Sequence, residues 1–460
     1  MISHFCRAFG FQYVLFLAWC YPVSIALSQA PGAPQQTALG GGEEVEQANT
    51  ALPLEELPTE PVVAKVEMKL NLKGELVDTI EKGDLLTVLE MRDGTYVIQT
   101  HGGHKGLVSR QSVALLADSI PVYDELIVAN PADGRLYTLR ASAHWAMGDA
   151  VKALADYDQA IESGYAEAHA FASRGLFHSA MGNAEQAVQD FTTAIEKNDA
   201  DPVPRINRAG VHMTQGNYGE AVEDYTQALR LQPESPVLYS QRAIAYKLLG
   251  DLSAAEHDYD SAIEYGPQDV SNWMGRGYIR FQRGQHELAI EDFTRVIELA
   301  PHSAVAYNNR GYNYQLMKDY VAAKENYQRA IELAPRYLLA LQNQAWLLAT
   351  CPETALQEPA IAIELSTKIC ELTEYKNVGD LMLLAASHAA AGEFESAIGW
   401  QEKVVPLVQD SPHELEVGQK ILRLYQNQKP LDVGLLTAAD ESQSAAISDQ
   451  QDLDESAKKP

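Results

Sequence analysis

Positive charge is scarce in this chain of 460 residues: 35 Lys and Arg stand against 63 Asp and Glu, a formal net charge of −28. Nucleic acid and anionic membrane surfaces call for the opposite balance, so neither is an expected partner of the chain as a whole. Cysteine is scarcer, with four in all. Cys6 and Cys20 fall in an N-terminal export segment, which leaves Cys351 and Cys370 as the one pair to weigh. Catalytic signatures are missing too. No Ser-His-Asp order, HExxH, Walker loop or GxGxxG stands in a suitable context, so neither an enzyme nor a bound cofactor is expected.

What is present begins with a hydrophobic fraction of 46% beside 21% charged residues, the composition of an ordinary folded protein. Much of the acidity sits at the ends. Residues 29–60 carry six Glu and no Lys or Arg, and 431–460 carry seven acids against Lys458 and Lys459, so the two hold −11 of the total. Residues 1–28 run from Arg7 through "FQYVLFLAWCYPVSIAL" to Ser28, the order of a secretory signal, with Ala26 and Ser28 suited to cleavage before Gln29. An uncleaved anchor is the alternative, since the apolar run is nearly long enough to span a bilayer. Lipidation at Cys20 is disfavoured by the bulk of Trp19. The expected location is periplasmic or secreted.

Residues 29–60 mix Pro, Gly, Gln and Glu with few large apolar groups and read as a flexible linker. Residues 61–117 change style. Short β-branched runs alternate with turns at Lys73-Gly74, Lys82-Gly83-Asp84, Asp93-Gly94 and Gly102-Gly103, and Val88, Tyr96, Ile98 and Val108 keep a strand period. Four or five short strands in a small all-β barrel are expected. The order "KGD", "LTVLEMRDGTYVIQT", "GLVSRQSVALL" resembles the bacterial SH3-like (SH3b) domain.

From residue 119 a helical period takes over and the chain repeats itself. Gly148, Gly182, Gly216, Gly250 and Gly284 stand 34 apart, and Lys318 continues the series. Five residues after each comes Ala (153, 187, 221, 255, 289, 323), and nine after comes Tyr157, Phe191, Tyr225, Tyr259, Phe293 or Tyr327. Seven before stands a small residue: Ala141, Gly175, Ala209, Ala243, Gly277, Gly311. Two antiparallel helices approach closely where both present Gly or Ala, and the aromatic fills the gap beside them. Gly between the helices takes a left-handed cap, and Pro233, Pro267, Pro301 and Pro335 stop the second helix.

This 34-residue helix-turn-helix unit resembles the tetratricopeptide repeat (TPR) family. The expected fold is mainly α, a TPR solenoid of about eight helix pairs behind the barrel. The register places a capping helix at 118–133 and repeats at 134–167, 168–201, 202–235, 236–269, 270–303, 304–337, 338–377 and 378–411. A C-terminal solvating helix follows at 412–430 and an acidic disordered tail at 431–460.

Arg140, Arg174, Arg208, Arg242, Arg276 and Arg310 share one position, and sixteen residues after each comes Asp156, Asp190, Asp224, Asp258, Asp292 or Asn326. A structural ladder across each hairpin is the reading, rather than an anion-binding stripe. His144, His178, His212 and His388 also share a position, but stacked repeats space equivalent residues too widely for one metal ion, so packing is expected of them. The "HGGH" of His101 and His104 has no further ligand nearby, and no metal is expected. Cys351 and Cys370 should lie at opposite ends of their hairpin, on the order of 15–20 Å apart by helical rise, so no disulfide is expected.

The TPR resemblance implies a concave ligand face built by inward positions of each first helix. On it would stand Met274, Tyr278, Phe281, Asn308, Asn309, Tyr312, Gln315, Asn343 and Trp346, an apolar and amide lining nearly free of charge. The family's Lys clamp for a terminal carboxylate is absent: Thr138, Ala172, Ile206, Ser240, Met274 and Asn308 occupy its position. The expected function is an exported scaffold binding a peptide segment of an envelope or secreted protein. The alternative is a barrel that binds cell-wall peptide, with the repeats as spacer or oligomerisation surface.

Overall fold

The computed structural model describes residues 61–431 except Lys73, Gly74, Asp93, His101 and Ala166. The expected signal, the linker and residues 432–460 lie outside the described residues. The chain is mainly α. Eighteen α-helices among the described residues follow a small all-β region, and most of them form antiparallel pairs.

The β region has seven strands where four or five were expected: β1 (Val62–Ala64), β2 (Met68–Leu72), β3 (Glu75–Ile80), β4 (Leu85–Arg92), β5 (Thr95–Gln99), β6 (Lys105–Ser109) and β7 (Val113–Leu115). The two at the ends have three residues each, too short to display a period in the sequence. Five strands form a sheet in the order β6-β5-β4-β1-β7, and β2-β3 is a separate hairpin. Alternation sends Tyr96, Ile98 and Val108 inward, where they pack with Val62, Leu70, Ile80 and Leu86. Gly83 (φ +93°) turns the chain between β3 and β4 in a conformation that a Cβ penalises.

The described residues divide into two compact units between Pro233 and Glu234. In the first, the β region is followed by α1 (Ile120–Ala129) and three helix pairs: α2 and α3 (Gly134–Ala146, Ala150–Glu162), α4 and α5 (Ala168–Ala180, Ala184–Lys197), α6 and α7 (Val203–Gln215, Tyr218–Leu231). Helix α1 buries Val122, Tyr123 and Ile127 and exposes Asp124, Glu125 and Val128. Val122 and Tyr123 join Val63 of β1, Leu85 of β4 and Ala143 of α2 in one apolar cluster. The Tyr123 hydroxyl donates to the Gly83 carbonyl at 3.2 Å, and a Cβ on Gly83 would stand 2.7 Å from Leu126.

The second unit holds α8 and α9 (Pro236–Leu249, Leu252–Tyr265), α10 and α11 (Val270–Gln282, His286–Leu299), and α12 and α13 (Ala304–Leu316, Tyr320–Leu333). It continues with α14 and α15 (Leu338–Thr350, Pro359–Leu372), α16 and α17 (Val378–Ala390, Phe394–Val404), and the closing α18 (Pro412–Gln426). Within each pair the landmarks do what sterics asks. A Cβ on Gly277 would lie 3.0 Å from the Phe293 ring, and Gly311 and Tyr327 meet likewise. Gly148, Gly182, Gly216, Gly250 and Gly284 all have positive φ, and Lys318 takes φ +67° at the equivalent turn. In the last pair Gln401 replaces the aromatic because it serves α18: fully buried, it donates to the Gly418 carbonyl at 3.0 Å.

Candidate functional site

The first helices of the first six repeats are each held in place by an arginine clip. Arg174 of α4 donates from Nε and Nη2 to both Asp190 oxygens of α5, at 2.9 and 2.8 Å, and from Nη1 to Asp158 of α3 at 2.7 Å. Arg140 and Arg276 repeat this with Asp156 plus Asp124, and with Asp292 plus Asp260. Arg208 pairs with Asp224 and donates to the Thr192 hydroxyl, and Arg242 grips Asp258 at 2.7 Å twice. The expected hairpin partner is therefore present at every rung. The third partner, sixteen residues before the Arg, was legible in the spacing and missed. An aromatic three residues before also covers five guanidiniums: Tyr137, Phe171, Tyr239, Trp273 and Tyr307 lie 4.9–5.9 Å from them. Burial pushes the Asp292 carboxyl above its ordinary range, against the opposing pull of Arg276 and Arg280.

This rigid backing positions the candidate face. Asp269 and Ser303 cap α10 and α12 by accepting from the amides of Ser271 and Ala306. Tyr278 and Phe281 of α10 lie 6.0 Å apart, and Phe281 meets Tyr312 of α12 edge-on at 5.6 Å. Lys247 of α8 sits 5.7 Å over the Tyr278 ring. Asn309 points its amide at the Met274 sulfur, 3.9 Å away. Met274, Tyr278, Phe281, Asn309, Tyr312 and Asn343 are half-buried and line one strip of uncharged side chains with Lys247 beside it.

The other three expected contacts lie inside. Asn308 is 1% exposed and accepts from Asn343 of α14 at 2.9 Å, a bond between repeats. Gln315 is buried because its carbonyl accepts the Tyr327 hydroxyl at 2.8 Å. Trp346 is 8% exposed and belongs to the apolar core around Leu341, Met382 and Leu384. Helical position alone does not separate these from their accessible neighbours. Gln342 escaped notice as an architectural group: it donates to the buried Asp380 carboxylate at 2.6 Å.

The histidines stand beside the clips. His144 and His178 approach Asp156 and Asp190 at 3.8 and 4.0 Å, and burial lowers the pKa of His178 and His212. On the β region, Asp78 accepts from the Thr100 hydroxyl at 2.6 Å and from the His104 ring at 3.1 Å, while His101 lies outside the described residues. Among the described residues no group of three or more His, Cys, Asp or Glu could hold a metal ion. Cys351 and Cys370 are both free and buried, and burial pushes the Cys370 thiol up to about 12. No helix of the described residues is long and apolar enough to cross a membrane.

Models of the tetratricopeptide repeat match residues 115–169, 210–250 and 269–336. The chain carries tetratricopeptide repeats. Among solved TPR structures, the C-terminal part of a TPR repeat-containing protein from Cytophaga hutchinsonii is 18% identical. It aligns over 50% of this chain and 94% of its own at a TM-score of 0.46. YrrB, described as a TPR protein with an unusual peptide-binding site, is 23% identical over 40% of this chain and 95% of its own, at a TM-score of 0.37. A TPR protein from Parabacteroides merdae is 18% identical over 56% and 98%, at 0.39. No curated protein matches the sequence.

Proposed function

We propose that this chain is an exported TPR scaffold that holds a peptide segment of an envelope or secreted protein against the first helices of its second unit. The supporting observation is the half-buried strip of Met274, Tyr278, Phe281, Asn309, Tyr312 and Asn343, framed by capped helices and rigid clips. Its aromatics offer anchor area and its amides can pair with an extended backbone. Export rests on the order of residues 1–28. A cell-wall ligand on the SH3-like β region has less support: Tyr96, the aromatic that could receive it, is 7% exposed with Arg110 over its ring.

The test is capture from an envelope extract with residues 29–460 as bait, compared with Phe281→Ala/Tyr312→Ala. Both rings are half-buried, so the variant should keep its helical circular dichroism while partner recovery falls about tenfold or more. Equal recovery by the folded variant would overturn the reading.

A further inference from the structure

The six clips are not equivalent. Arg140, Arg174 and Arg276 each meet two carboxylates, and Arg208 and Arg242 each meet one. Arg310 meets none among the described residues. Its Nε donates to the Asn326 carbonyl at 2.9 Å and its Nη1 to the Thr294 hydroxyl at 3.1 Å, and these are its polar partners. Both carboxylate positions of the clip have been exchanged for neutral groups in the same rung. The amide of Asn326 is pinned as well, donating to the Ala322 carbonyl at 2.8 Å, so it cannot turn away. A guanidinium keeps its charge at any working pH and presents a fork of donors shaped for a carboxylate. In a protein of net charge −28 it is the ladder cation left without a counter-charge among the described residues.

The outer edge of a clip can be reached from solvent. Where an outer carboxylate exists, on Asp124, Asp158 or Asp260, its side chain is about half exposed (54%, 48% and 49%) while still bonding Nη1 at 2.7 Å. At the sixth rung Thr294 fills that position with a shorter, neutral group bonded to Nη1, and the inner Asn326 offers one oxygen where an Asp offers two, so Nη2 has no acceptor among the described residues. We infer that Arg310 is a docking point for a carboxylate from an acidic polypeptide segment, outside the peptide strip, and that this chain's own residues 440–455 supply it.

The source is argued from length and charge. Residues 440–455 carry six acids and no Lys or Arg. The last described residue is Leu431, beyond α18, and α18 follows α12 by three repeat spacings, roughly 30 Å at helix-packing distances. The nine to twenty-four residues from 432 to these acids span up to about 30–80 Å when extended. Tethering supplies an effective concentration that offsets the repulsion between two acidic bodies.

The experiment is fluorescence anisotropy at low salt with a labelled peptide of residues 440–455 and the full chain. The parent protein has Asp440, Asp449, Asp452 and Asp454 changed to Asn, and Glu441 and Glu455 to Gln, so that its own tail does not compete. Saturable binding to this parent is expected, weakened about tenfold by Arg310→Gln. Asn326→Asp and Thr294→Asp, which rebuild the inner and outer carboxylates without removing the arginine, should weaken it comparably while unfolding no earlier in urea. Weaker probe binding by the wild-type chain than by the parent assigns the site to the tail, whereas equal binding overturns that source and leaves a carboxylate from another protein. Unchanged affinity in Asn326→Asp and Thr294→Asp, or no saturable binding to the parent, overturns the docking point itself.

Discussion

At the scale of single residues, the landmarks readable from the sequence were those with one steric solution. A turn at positive φ favours Gly strongly, so a Gly every 34 residues announces the hairpin, and the break at Lys318 announces strain. Lys318 has φ +67° where its equivalents are Gly. Lys318→Gly should therefore raise unfolding stability by about 1 kcal/mol, measured as a higher urea midpoint at unchanged slope. Residues whose position permits two roles were not legible. Asn308 and Asn309 are adjacent on α12, yet the first is 1% exposed and bonds α14 while the second is half-buried toward the strip. Trp346 was expected as a contact and is core because it packs with Leu381, Met382, Leu384 and Ala385 of α16. Trp346→Ala should then cost about 3–5 kcal/mol, the loss of a buried aromatic, whereas Phe281→Ala should cost less. Urea titration of the two variants separates them.

At the scale of elements, the clip ties three helices with one side chain, and its two carboxylates are unequal. Asp258 is 1% exposed and bonds Arg242 through both oxygens, so Asp258→Ala leaves a charge half-buried without its partner. A loss of about 3–5 kcal/mol is expected. Asp158 is 48% exposed, and Asp158→Ala should cost at most about 1 kcal/mol. The histidine row adds a pH dependence whose sign follows from burial, the leading cause of the lowered pKa of His178 and His212. Asp190 and Asp224 oppose that shift, and Arg174 and Arg208 reinforce it. A folded-state pKa below the unfolded one means the neutral ring is favoured, so the contribution is full above about pH 6.5 and is lost as pH falls through that value toward the folded pKa. Tyr246 and Tyr314 hold the same repeat position. His178→Tyr/His212→Tyr should flatten the fall in urea midpoint between about pH 7.5 and 5. An equally steep fall in the double variant would mean that carboxylates, not these rings, set the acid sensitivity.

At the scale of the whole molecule, the fold was legible because a repeat states each packing rule several times, so that Lys318 or Gln401 cannot hide the pattern. The β region states its rules once. Its three-residue strands β1 and β7, and its seat on α1, depend on pairings far apart in sequence, and no local period reports them. The acidity is a property of the whole chain and has consequences the ladder does not share. A net charge of −28 repels itself, and salt screens exposed charges over about 10 Å at 0.1 M ionic strength. The clip arginines and their hairpin partners are mostly buried, with Asp258 and Asp292 at 2% and 1% side-chain exposure, so salt weakens them far less. Repulsion is therefore the larger salt-sensitive effect, and moderate salt should stabilise the protein. The melting temperature is expected to rise as NaCl goes from about 10 to 150 mM, with most of the gain in the first part of the range, where the screening length shortens fastest. Guanidinium chloride would confound that measurement by acting as salt and denaturant together, so heat or urea is the proper perturbant. A melting temperature that falls across the range would show that surface pairs, such as Lys152 with Asp149, outweigh the repulsion among unpaired acids.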